Sequence, residues 1–217
     1  NIQLKTGTSS SAGQMSGSIK LTTSSSLGIS GDVQISVGDT LNNIGGSLSM
    51  TAGDSSTQTG GSILVSSGTS ASMTSGQILV ESGNSKQTSA SSGNIAVHTG
   101  VSAAGSSGSV ALQSGTAMLS SGDVMIGASS GGLGGNIILS AGKSMSETGG
   151  SIAMQTGTSD TGSSGNAQFL TGSSAQSSGS MTMQTGNAVT GNSGAIEIKS
   201  GAVSGAGVAG NIDFIGG

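Results

Sequence analysis

The chain has no cysteine, no proline, no tryptophan and no tyrosine, and only two phenylalanines in 217 residues. Without Cys there are no disulfides and no thiolate metal sites, and nothing about redox compartment can be read from the sequence. Charge is scarce as well: five lysines, no arginine and nine acids leave a net charge of −4. That balance excludes the basic footprint of a nucleic-acid-binding surface and a polybasic membrane patch. No apolar run approaches the ~18 residues of a membrane-spanning helix. A single histidine, His98, removes most acid–base and triad chemistry at once.

What remains is glycine, 42 residues of it, with a large excess of Ser and Thr. Such a composition ordinarily signals disorder, because little apolar surface is available to offset chain entropy. Two features point instead to an ordered repeat. Only 6% of residues are charged, and the apolar residues recur with a period.

The repeat runs the whole length and reads Gly-polar-apolar-x-apolar-x-small-Gly, followed by a Ser-rich return. Its first apolar position holds Ile2, Ile19, Val33, Leu48, Ile63, Ile78, Ile95, Val110, Val124, Ile137, Ile152, Ala167, Met181, Ile196 and Ile212, at a mean spacing of 15.0 residues. The second, two residues on, is never polar and includes Leu4, Ile35, Val97, Leu112, Met154, Phe169 and Met183. A spacing of two puts both side chains on one face of an extended strand. The third residue on that face is small in nearly every repeat, as at Thr6, Ala52, Ser67, Thr99, Ala141 and Thr156, and a Gly follows it in thirteen of fifteen repeats. Another Gly stands two residues before the first apolar position in all fourteen repeats where it can be seen. Glycine takes up positive φ without steric cost, so each repeat reads as a short strand between two corners.

These features predict an all-β fold, a β-solenoid of about fifteen coils with a mean of 15 residues per coil, as a single array over residues 1–217. Coils stacked at the β spacing would form a narrow rod on the order of 70 Å long with both apolar positions inside. Removing a pair such as Ile95 and Val97 should then cost several kcal/mol, at ~1–4 for each large-to-small core change. Leu27, Leu41, Met118, Met145 and Val189 in the returns are further inward candidates. The chain starts at Asn1 without Met or a signal peptide, which reads as a mature form or a fragment. Neither end carries an atypical capping repeat, so the array is expected to continue into more chain or onto another copy.

Fifteen-residue coils with small corners resemble those of certain insect β-solenoid antifreeze proteins. The unit Gly93-Asn94-Ile95-Ala96-Val97-His98-Thr99-Gly100 is similar to that of Gly/Ser-rich surface repeat proteins of microalgae. The resemblance implies an extracellular fibre or coat component and carries over no functional residues.

Residues of catalytic or metal-binding type do not converge. His98 falls at an outward strand position, and the acids sit at different phases of the repeat, unlike the fixed-phase Asp of calcium-binding β-rolls. No cofactor site is expected: Gly205-Ala206-Gly207-Val208-Ala209-Gly210 matches a dinucleotide pattern but leads into the strand Ile212-Asp213-Phe214 rather than a helix. Gly142-Lys143-Ser144 lacks the earlier Gly of a phosphate loop, position 137 being Ile137. Glu197 and Lys199 flank Ile198 and should form a weak surface pair.

The candidate contact surface comes from the residue between the two apolar positions, which should be polar on a solvated rod. Seven consecutive repeats carry Leu64, Leu79, Ala96, Ala111, Met125, Ile138 and Ala153 there. An apolar stripe of this kind marks a contact site. The expected role is a non-enzymatic structural component of an extracellular or cell-surface filament, fibre or coat. Its partners would be further copies or other fibre subunits, held end to end and laterally, with no nucleic acid and no membrane insertion. Ice binding is the alternative, since a flat solenoid face can present regular hydroxyls. The outward positions, however, hold Gln3, Lys20, Gln34 and Ser49 rather than Thr-x-Thr ladders. An adhesin or sugar-binding module is the third reading, although no exposed aromatic rings are expected for sugars to stack on.

Overall fold

The computed structural model describes residues 1–11 and 13–216, which fall into two units, Asn1–Ala111 and Leu112–Gly217. Among the described residues no helix and no strand forms. Helix is disfavoured throughout by the density of Gly, Ser and β-branched residues. The missing sheet overturns the predicted β-solenoid: extended segments alternate with bends, and no ladder of backbone hydrogen bonds joins one segment to the next.

Burial departs from expectation in the same way. Among the described residues no side chain is buried, and no large apolar residue is less than 44% exposed. Val97 and Leu112, both placed inside by the solenoid reading, are about three-quarters exposed. Leu27, Leu41, Met118, Met145 and Val189 are almost fully exposed, so the returns contribute nothing inward. The total accessible surface is 21955 Å² for a 20.3 kDa chain. A compact monomer of that mass would expose about 8,800 Å² and its unfolded chain about 29,000 Å². The chain therefore hides only a modest share of its surface by itself.

Its order is local, and it resides at the corners. In thirteen of the fourteen repeats, the Gly before the first apolar position lies against the third-position residue of the preceding repeat. A methyl group added to Gly17 would sit 3.0 Å from Thr6 Cβ, one at Gly135 3.1 Å from Ala128 Cβ, and one at Gly165 3.5 Å from Thr156 Cβ. Gly210 is the exception, with open space around it. The least exposed residues follow this contact, except for Ser144 in a return. Thr6, Ala52, Ser82, Thr99, Ser114, Thr156 and Thr185, all third-position residues, are half-buried while their apolar neighbours are not. Val37 is the one large residue at that position, and a methyl at Gly46 would meet its Cγ1 at 2.5 Å.

The corner is closed by backbone. The N–H groups of Gly61, Gly76, Gly150 and Gly165 donate to the carbonyls of Gly53, Gly68, Gly142 and Gly157 at 2.8, 3.0, 2.9 and 3.1 Å. Each bond spans eight residues and closes the return, not the fifteen-residue circuit. Loop-closure entropy rises by roughly 0.6 kcal/mol per doubling of loop length, which favours the shorter ring. With one pair of apolar side chains per repeat, nothing in a single chain offsets the further ordering that stacking requires. The corner glycines also serve a purpose other than the predicted one. Gly13 is the only described residue at positive φ (80°), so Gly17, Gly46, Gly61, Gly135 and Gly150 serve clearance rather than backbone handedness, while the glycines that end the segments, such as Gly7, Gly68 and Gly115, have open space around them.

Gly61 offers a direct test. An added methyl there lies 3.1 Å from Gly53 N and 3.2 Å from Ala52 Cβ, and the backbone atom cannot swing aside. Gly61→Ala should open the Gly53–Gly61 return and speed amide exchange at residue 61 roughly tenfold, the worth of one net hydrogen bond. Gly150, in a matching return, should keep its protection in the same sample. Equal protection at residue 61 before and after the change would contradict the account.

Candidate functional site

Leu64, Leu79, Ala96 and Ala111 lie in the first unit, and Met125, Ile138 and Ala153 in the second. All seven are exposed. Their large members are 70–92% exposed, against 44–58% for the first apolar positions other than Ile2. At Leu64, Leu79, Met125 and Ile138 the first position of the same repeat is the more sheltered, but the second position, expected inside as well, is not buried. Exposure alone does not single out the stripe, because the second positions are 56–86% exposed as well. In these seven segments both the apolar pair and the intervening residue are open to contact.

Titratable groups are dispersed. Among the described residues no three of His, Cys, Asp and Glu come together as a metal site would need. His98 is exposed, its Nδ1 3.4 Å from the neighbouring Thr99 carbonyl oxygen. Lys199 Nζ and Glu197 Oε1 form the predicted pair at 3.0 Å, with both side chains about three-quarters in solvent, where such a pair contributes little. No helix among the described residues is long and apolar enough to cross a membrane.

Two features were missed in the sequence. The first is a serine cap on the return. The Oγ atoms of Ser55, Ser70, Ser102, Ser144 and Ser159 each accept the N–H three residues on, at 2.8–3.0 Å. Each of these serines stands two residues after the Gly that ends the extended segment, so Gly-x-Ser at fixed phase was the legible signal. Ser144 belongs to the phosphate-loop look-alike, and its oxygen is taken up by the N–H of Glu147 in its own turn. Ser144→Ala should speed amide exchange at Glu147 by two- to tenfold, for a net bond of about 0.5–1.5 kcal/mol. Ser144→Thr should leave it unchanged, and an equal effect from both substitutions would reject the cap.

The second is a cleft in the Leu112–Gly217 unit. Met154, Phe169, Met181, Thr182 and Met183 line an open space of about 330 Å³. A neighbouring space of about 250 Å³ is lined by Met154, Gln155, Thr156, Ala167, Gln168 and Phe169. Three successive repeats therefore bring their apolar positions side by side here. The signal was compositional: of the four methionines at apolar repeat positions, Met50 is distant in sequence, and Met154, Met181 and Met183 flank Phe169.

Comparison with known proteins places the chain beside none of them: no family model, curated protein or solved structure matches it.

Proposed function

We propose that the chain is a non-enzymatic structural component of an extracellular filament, fibre or surface coat, and that it completes its packing against further copies of itself. The observation that carries this reading is the absence, among the described residues, of any large apolar side chain less than 44% exposed, in a chain that is 32% hydrophobic. Periodic apolar surface on this scale marks a contact region rather than a solvated coil. A second copy is the occupant that fits. It carries the same 15-residue spacing, so contacts made in one repeat recur in register along the chain. It also brings little repulsion, since a net charge of −4 is spread over 217 residues. The scarcity of His, Cys and Arg, with the acids dispersed, supports a role without chemistry.

The test is the state of the purified chain across concentration. Sedimentation and electron microscopy should show association into elongated particles, with new amide protection at the apolar positions above a threshold concentration. A chain that stays monomeric at every concentration up to the millimolar range would overturn the proposal.

A further inference from the structure

The Met154–Phe169–Met183 cleft has a chemistry that the structural role does not use. Three methionines, Met154, Met181 and Met183, and one phenylalanine, Phe169, line the same space of about 330 Å³. No Lys, Asp or Glu is among the residues that line it, and Thr182 is the only polar one. We propose that this cleft is a binding site for a soft monovalent cation of the Cu(I) or Ag(I) class, held by the sulfur atoms of Met154, Met181 and Met183 beside the ring of Phe169.

Ligand class decides between the occupants that such a cleft could take. A small apolar molecule needs most of its surface covered, roughly 70–90%. The lining side chains are themselves 54–70% exposed, too open to provide that cover. Hard cations such as Ca²⁺ and Mg²⁺ need several oxygen donors, and the cleft supplies one hydroxyl. Zinc and Cu(II) favour imidazole, thiolate or carboxylate, and none lines the space. Thioether sulfur is a soft, neutral donor that selects Cu(I) among biological metals, and an aromatic face adds attraction for a cation. The placement is also specific to this stretch. Ile, Val and Leu fill most of the corresponding positions elsewhere, and Met181 is the only methionine at a first apolar position.

Thioethers do not titrate in the physiological range, so binding here should be independent of pH. Sites built on His or carboxylates lose metal as their donors protonate. With no Cys in the chain, the competing soft donors are the six methionines outside the cleft.

The experiment titrates Ag(I), as the nitrate in chloride-free buffer, into the full chain with its methionine methyl groups labelled for NMR. One equivalent should bind, shifting the methyl signals of Met154, Met181 and Met183 ahead of the other six, with affinity flat from about pH 5 to 8. The near-isosteric triple change M154L/M181L/M183L should lower affinity at least tenfold. M15L/M73L/M118L, which leaves the cleft intact, should not, and neither should H98Q. Any of four results overturns the site: no binding by the parent chain, shifts spread evenly over all nine methionines, unchanged affinity in the cleft triple variant, or a fall in affinity with H98Q.

Discussion

Replacing Ile95 and Val97 together by Asp is expected to raise the concentration at which the chain associates by about a hundredfold or more, and to leave the isolated chain almost unchanged. Both side chains are half or more exposed in the single chain, Ile95 at 53% and Val97 at 75%. Surface substitutions with no buried partner usually fall within about 0.5 kcal/mol. The picture inverts on association. Covering an Ile and a Val contributes roughly 1.5–3 kcal/mol for each complete burial, and what remains exposed here is the part that a second copy would cover. Two or three kcal/mol per contact is about one and a half to two decades in affinity. Burying the introduced carboxylates adds a further penalty. Amide exchange of the dilute chain and sedimentation of the concentrated one read the two halves separately. If the double change instead disrupts the dilute chain by several kcal/mol, the two residues are part of an intramolecular core after all. If association is untouched, this face is not the one that copies share.

How far the sequence carried the structure can be judged from these same residues. Side chains two apart share a face of an extended segment whatever the segment packs against. Spacing alone therefore predicts Ile95 and Val97 together with Ala96 opposite, but not the burial expected of the pair, whose members are 53% and 75% exposed. The phase of the corner glycines was legible, but their contact with the preceding repeat was not. Gly61 precedes its apolar pair and Ala52 ends the one before, and a methyl added at Gly61 would lie only 3.2 Å from Ala52 Cβ. Glu197 and Lys199 met as expected because two residues in extended chain bring their side chains to one side. Stacking of the segments was not legible. It depends on whether the apolar surface gained per coil exceeds the cost of ordering a Ser-rich return, a balance of large opposing terms. One apolar pair per fifteen residues does not tip that balance in a single chain, and four of the returns close on themselves through a Gly–Gly bond instead. The purpose of the corner glycines was misread because φ > 0 and close approach both select Gly, and composition cannot separate the two. Of the candidate contact surface, Leu64, Leu79, Met125 and Ile138 are exposed, as is every other large apolar residue described, so exposure does not set them apart. The Met154–Phe169–Met183 cleft was not legible, since it requires three repeats to lie side by side.

Leu79→Lys with Ile138→Lys tests the opposite face of the segments. The parent chain carries −4, so two added lysines bring it to −2. Net repulsion between copies falls rather than rises, and simple charge can only favour association. If association nonetheless weakens, the cause is local: an ammonium placed where Leu79 or Ile138 meets apolar surface must be desolvated without a partner. The expected result is a ten- to hundredfold higher threshold concentration, with the Gly53–Gly61 and Gly142–Gly150 returns keeping their amide protection. Leu79→Ala with Ile138→Ala separates the two contributions. It removes apolar area without adding charge, and should weaken association by a smaller factor, near tenfold, set by ~25 cal/mol for each Å² of apolar surface that the smaller side chains no longer cover. Tighter association in the lysine variant, following the drop in net charge, would show that Leu79 and Ile138 face solvent in the assembly. The covered face would then be the one that carries Ile95 and Val97.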